Sequence, residues 1–127
     1  MEIINNKQKI KSFVDLVAWQ EAHRLVILVY KITKDFPKEE IFILVNQMRR
    51  AAISVTSNIV EGCARESQLE YHRFLEMAFG SLRELSYQFG LAIRLGFITE
   101  QENSVNNFKS KSEEAQKVLG SLIRSMR

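Results

Sequence analysis

Cysteine is nearly absent. The 127 residues hold one, Cys63, so no disulfide can form within the chain and nothing marks an oxidising compartment. A cytoplasmic location is therefore expected. Proline occurs once and glycine five times, which excludes a collagen-like or low-complexity chain and leaves helix as the natural backbone state. Long apolar runs are missing: the longest, Leu25 to Tyr30 and Ile41 to Val45, fall far short of the ~20 residues that a membrane span needs. No membrane is expected as a partner, and residues 1–11 lack the apolar stretch and small-residue cleavage site of a secretory signal. Charge of one sign is also scarce. Eighteen basic against fifteen acidic residues give a net +3, less than the concentrated positive charge of a typical nucleic-acid binder.

The small excess is unevenly placed. Lys7, Lys9 and Lys11 stand against Glu2 in residues 1–12, whereas residues 13–96 carry ten basic and ten acidic side chains. Residues 1–12 read as a flexible basic tail and residues 13–127 as one domain whose body is close to neutral. With 46% hydrophobic and 26% charged residues, a chain of this length buries roughly two-thirds of its unfolded surface in one core.

Periodicity and capping signals divide that domain into four helices. The first is expected from about Leu16 to Lys34, with Asp15 as N-cap and Val14 stapled to Trp19, and Asp35-Phe36-Pro37 ends it. The second starts soon after Pro37, places Glu39 and Glu40 in its first turn, and stops near Gly62. Ser67 with Glu70 forms a capping box for the third, which continues to Leu95 before Gly96, and Thr99 with Glu102 repeats the device for the fourth. Short connections and the lack of strand alternation predict an all-α fold, an antiparallel up-down-up-down four-helix bundle. The fourth helix has a narrow seam of Val105, Phe108, Ser112, Ala115, Leu119, Leu122 and Met126, spaced alternately three and four apart. Leu25 to Tyr30 and Ile41 to Val45, by contrast, put apolar side chains all round their helices. One core cannot cover them, so a subunit interface and a homo-oligomer are expected.

A polar stripe stands out on the second helix. Gln47, Arg50, Ser54, Asn58 and Glu61 fall within a wedge of roughly 80°. If the chain reverses about Arg65, facing residues have numbers summing to about 131–135. Arg50 then meets Glu84, Glu61 meets Arg73 and Gln47 meets Gln88, and Ser81 shares their face on the third helix. A structural polar seam is the preferred reading, because a buried charge is tolerable only when paired. A ligand or nucleic-acid groove with Arg50 as anion contact is the functional alternative. Catalysis by Glu61 as base and Ser54 as nucleophile is disfavoured: no histidine lies in the stripe, and His23 and His72 have no partner at metal or triad spacing. No catalytic residue, metal site or cofactor is assigned. Cys63 reads as a half-buried small residue beside Gly62.

The string Gln47-Met48-Arg49-Arg50-Ala51-Ala52, Ser54-Val55, Asn58-Ile59-Val60-Glu61-Gly62, set between Trp19 and Phe36-Pro37 before it and Gly80-Ser81-Leu82-Arg83-Glu84-Leu85 after it, resembles the 23S ribosomal RNA intervening-sequence proteins. The resemblance covers about residues 12–98. It implies a four-helix bundle assembled as a ring-like homopentamer. A similar bundle is an accessory subunit of reverse transcriptases, where a basic ring contacts nucleic acid and the polymerase. Two functions are therefore carried forward. In one, a non-enzymatic oligomer contacts RNA, in preference to DNA, through phosphates at Arg49, Arg65, Arg83 and the Lys7, Lys9, Lys11 tail. In the other, the oligomer is a scaffold for a second protein and binds no nucleic acid.

Overall fold

In the computed structural model the backbone is described for residues 2–99 and 102–126, and the side chains from Val17 onward within those ranges. Four long helices, α1 (Glu2–Thr33), α2 (Asn46–Cys63), α3 (Gln68–Arg94) and α4 (Asn103–Arg124), account for almost all of it, with no strand among the described residues. α1 packs on α2 and α4, and α3 packs on the same two, so each helix has two neighbours and all four share one core.

The helix ends show why the chain turns where it does. Ser67 Oγ accepts the Glu70 backbone N–H at 3.0 Å, relieving one of the first-turn donors that a helix leaves without a partner. α3 ends in a Schellman arrangement. Gly96 takes φ +82, and the Gly96 and Phe97 N–H groups donate to Ile93 and Ala92 carbonyls. In the turn before α4, Glu102 Oε1 accepts from the Thr99 N–H and hydroxyl at 3.2 and 2.9 Å; the two residues of the expected box do bond, but ahead of the helix and not as its cap. Six of the seven seam positions named on α4, Val105 to Leu122, are buried, and Met126 packs against the core.

Three boundaries differ from expectation. α1 is continuous through Asp15, which therefore caps nothing, and extends back to Glu2. The second helix does not begin as an α-helix after Pro37: a 3₁₀ turn (Lys38–Glu40) and a π turn (Ile41–Val45) precede α2. The wider π turn alters the angular spacing of its side chains, so Leu44 and Val45 face inward while Ile41, Phe42 and Ile43 face solvent. Third, α4 starts at Asn103, with Glu102 and not Thr99 as its N-cap. α2 stops at Cys63, beside Gly62 as expected, but the glycine is not what turns the chain. It lies inside α2, and a Cβ there would stand 3.0 Å from both Phe74 Cβ and Tyr71 Cδ1. Its lack of a side chain is what lets α2 and α3 approach.

The core is made of large side chains from all four helices. Leu25, Met48, Leu75, Leu82 and Leu119 are at most 2% exposed, each contributing about 1.5–3 kcal/mol of burial. Phe89 of α3 stacks on Phe108 of α4 with ring centroids 3.9 Å apart. Phe36 and Phe97, from the two connections at the same end of the molecule, meet at 5.5 Å and close that end.

Candidate functional site

The polar stripe of α2 is built around serine. Ser54 and Ser81 share a hydrogen bond of 2.9 Å between their hydroxyls, and Asn58 Nδ2 donates to Ser54 Oγ at 3.1 Å and to the Ser54 carbonyl at 2.8 Å. The Ser54–Ser81 contact falls in the register that the turn near Arg65 sets. All three side chains are half-buried, so each bond is partly shielded from water and holds α2 against α3 at one offset.

The charged members of the stripe lie elsewhere. Gln47, Arg50, Glu61, Arg73 and Glu84 are all exposed, and no ion pair joins Arg50 to Glu84 or Glu61 to Arg73. Glu61 instead pairs with Arg65 at 3.0 Å, one turn along its own chain. Gln88 is buried, but Gln47 is not its partner, and Gln88 Oε1 has no hydrogen bond. The seam is thus neutral and bonded at its centre, and charged and solvated toward its ends. The reason lies in desolvation: two hydroxyls and an amide satisfy one another cheaply, whereas an arginine and a glutamate gain little by leaving water. A second polar cluster, of which the sequence pattern singles out only Ser112, ties α3 to α4. Ser86 and Ser112 hydroxyls lie 3.0 Å apart and Gln116 Nε2 donates to Ser112 at 3.1 Å.

The three arginines named as phosphate contacts have different surroundings. Arg49 is half-buried between α1 and α2: its Nε donates to Thr33 Oγ1 at 3.0 Å and its guanidinium lies 4.4 Å over the Tyr30 ring. Much of its fork is engaged in packing α2 on α1. Arg65 is held by Glu61 and lies 5.3 Å over Phe74. Arg83 is exposed and takes part in no ion pair. Arg94, which the sequence pattern does not single out, is exposed on the same edge of α3, three turns on; the spacing of eleven residues is the available signal. Lys7, Lys9 and Lys11 lie outside the described side chains.

Other groups have simple environments. His23 stacks on Trp19 with centroids 4.6 Å apart, His72 Nδ1 lies 3.5 Å from Glu76, and Cys63 is exposed, not half-buried. Among the described residues no three His, Cys, Asp or Glu side chains gather where they could hold a metal ion, and no helix is long and apolar enough to cross a membrane.

The model of the 23S rRNA-intervening sequence protein family matches residues 14–121, which reach into all four helices and take in both polar clusters. The chain belongs to that family. A solved structure from Bacteroides thetaiotaomicron, described as a protein with unknown function from the S23 ribosomal protein family, is similar to this intervening-sequence protein at 24% identity. The likeness covers 87% of this chain and 98% of that one with a TM-score of 0.78, and at that identity it speaks to the fold alone. No curated protein matches the chain.

The apolar surface completes the inventory. Ile27 and Tyr30 of α1, Ile41, Phe42 and Ile43 of the π turn, and Ile53 and Val60 of α2 are exposed, Phe42 to 88%. The two unbroken apolar runs signal the first five. Leu69, Met77, Tyr87 and Leu95 on the outer face of α3 escape sequence reasoning, because single apolar residues eight to ten apart carry no local signal.

Proposed function

We propose that this intervening-sequence protein is a cytoplasmic, non-enzymatic bundle of antiparallel up-down-up-down topology that assembles into a ring-like homopentamer and associates with nucleic acid, RNA in preference to DNA, through phosphate contacts. The observation that carries the nucleic-acid part is the edge of α3 bearing Arg83 and Arg94, two exposed guanidinium groups without a carboxylate partner within ion-pair distance. Free forks of this kind suit phosphate oxygens and read no bases. Arg65 is an adjunct whose pairing with Glu61 must give way, and Lys7, Lys9 and Lys11 add charge from the N-terminal part of α1. Arg49 contributes its field while its guanidinium stays on Tyr30. One copy offers few contacts, so repetition around a ring is what makes them add.

The test is titration of a labelled structured RNA at two salt concentrations. Binding should fall steeply with salt, and Arg83→Ala should weaken it and reduce the salt slope by about one per engaged copy. Binding that salt leaves unchanged would argue against phosphate contacts.

The exposed apolar side chains favour a second reading: a scaffold or accessory subunit, for example to a reverse transcriptase, that touches protein and no nucleic acid. No RNA binding at low salt, with a specific protein retained by the oligomer, would select it.

A further inference from the structure

We infer that Tyr87 is a stacking platform for an unpaired base of single-stranded RNA whose phosphates lie on Arg83 and Arg94. The inference rests on the phosphate-binding reading above and names the form of RNA that this edge takes.

Tyr87 stands on the face of α3 turned away from the core, 68% exposed. Among the described residues its ring stacks on no other aromatic and lies under no guanidinium. A ring with a bare face in water can take another planar group. Arg83 precedes it by four residues and Arg94 follows it by seven. On helical geometry both border the ring on its α4 side, about 6 Å and about 10 Å away along the axis. Both are exposed and neither is in an ion pair, so the ring has a free cation on either side of it along the helix.

Two further positions around the ring carry no side chain. Gly90 lies between Tyr87 and Arg94, and Gly80 lies two turns before the ring; where a Cβ would stand at either, nothing is within 4 Å. Glycine inside a helix is a loss against alanine, and at neither position does a turn or a close approach explain it, as the α2–α3 contact explains Gly62. What these glycines provide is clearance: a flat base laid on the Tyr87 ring meets backbone at Gly90 in place of a side chain.

The remaining charges leave the arginines in excess on this flank. Glu84 borders the ring on the α2 side, away from Arg83 and Arg94, and Glu76, two turns before Arg83, lies 3.5 Å from His72 Nδ1. From α4 the same edge receives Lys109 and Glu113, one charge of each sign and both exposed. Phosphate contacts alone do not tell a single strand from a duplex, whereas the ring does. Inside a duplex each base has its faces covered by its neighbours, so it is an unpaired base that can present one to Tyr87.

The experiment titrates labelled oligouridylate, and a blunt RNA duplex of the same length, at two salt concentrations. It uses wild type, Tyr87→Ala, Tyr87→Phe and Arg83→Ala, and records the solution mass of each. Tyr87 is exposed and alanine is the better helix former, so Tyr87→Ala keeps its helical circular dichroism. Wild type should bind the single strand more tightly than the duplex. Tyr87→Ala should weaken single-strand binding about tenfold without changing the salt slope, Tyr87→Phe should bind as wild type does, and Arg83→Ala should lower the slope. Binding of neither RNA by wild type would remove the phosphate reading together with this one. Single-strand binding indifferent to Tyr87→Ala, or a duplex preference in wild type, would overturn the stacking while leaving the phosphate contacts standing. A fall in mass on Tyr87→Ala would also overturn it and assign the ring to contact between copies.

Discussion

At Gly62 two effects oppose each other. Alanine in a helix is favoured over glycine by about 0.5–1 kcal/mol. Here, however, the new methyl would stand 3.0 Å from Phe74 Cβ, an atom fixed to the α3 backbone that cannot swing aside. Overpacking of that kind costs about 1–3 kcal/mol, so Gly62→Ala should be a net loss in urea unfolding; a gain would mean α3 yields. The sequence shows a glycine near a helix end and is silent on which of two reasons put it there, a turn or a close approach. The same limit governs the stripe: spacing places Ser54, Asn58, Arg50 and Glu61 in one wedge but does not say how far each side chain is from water. Ser54 and Ser81 are half-buried and bonded, so a Ser54→Ala, Ser81→Ala double-mutant cycle should show coupling of about 0.5–1.5 kcal/mol. Arg50 and Glu84 are exposed and unjoined, and the corresponding alanine cycle should show less than about 0.5 kcal/mol. Reversal of that order would mean the charged pair, not the hydroxyls, holds the register.

At the scale of the helix, capping chemistry is what makes most ends legible, and hydrogen bonding in the turn before α4 makes the start of that helix sensitive to acid. The Thr99 backbone N–H and, secondarily, its hydroxyl hold the Glu102 carboxyl below its usual range. A carboxyl whose folded value is lowered contributes stability above its unfolded value of about 4.3 and loses it as pH falls through the folded value. Amide exchange at Val105 and its neighbours should therefore accelerate below about pH 4 in the native protein, and Glu102→Gln should flatten the pH dependence. Unchanged exchange down to full protonation would show that α4 starts without help from the turn before it. Ser67, Gly96 and the α4 seam are readable for a shared reason: a cap or a 3–4 period acts within a few residues, and the sequence displays those residues side by side. Asp15 fails as a cap because an aspartate that could start a helix is also tolerated inside one. The π turn leaves no trace, since five apolar residues in a row fit a straight helix as well as a widened one.

For the whole molecule the question is where the apolar surface goes. Phe42 at 88% exposure, with Leu69 at 70%, lies on a chain whose own core is already filled by Leu25, Met48, Leu75 and Leu82. Folding of the single chain therefore gains nothing from them, and in water they are a standing cost in solubility. If copies bury them, native chains are drawn off by mass action, and stability becomes a function of protein concentration. Thermal unfolding should then shift upward with concentration over a hundredfold range, while Ile53→Glu, whose single chain keeps the same core, should unfold at one temperature throughout. Surface that the sequence half displays, as apolar runs at 25–30 and 41–45, would thereby be shown to serve contact between copies. A midpoint independent of concentration in the wild type, at concentrations spanning its dissociation, would leave that surface to a different protein and turn the balance toward the scaffold.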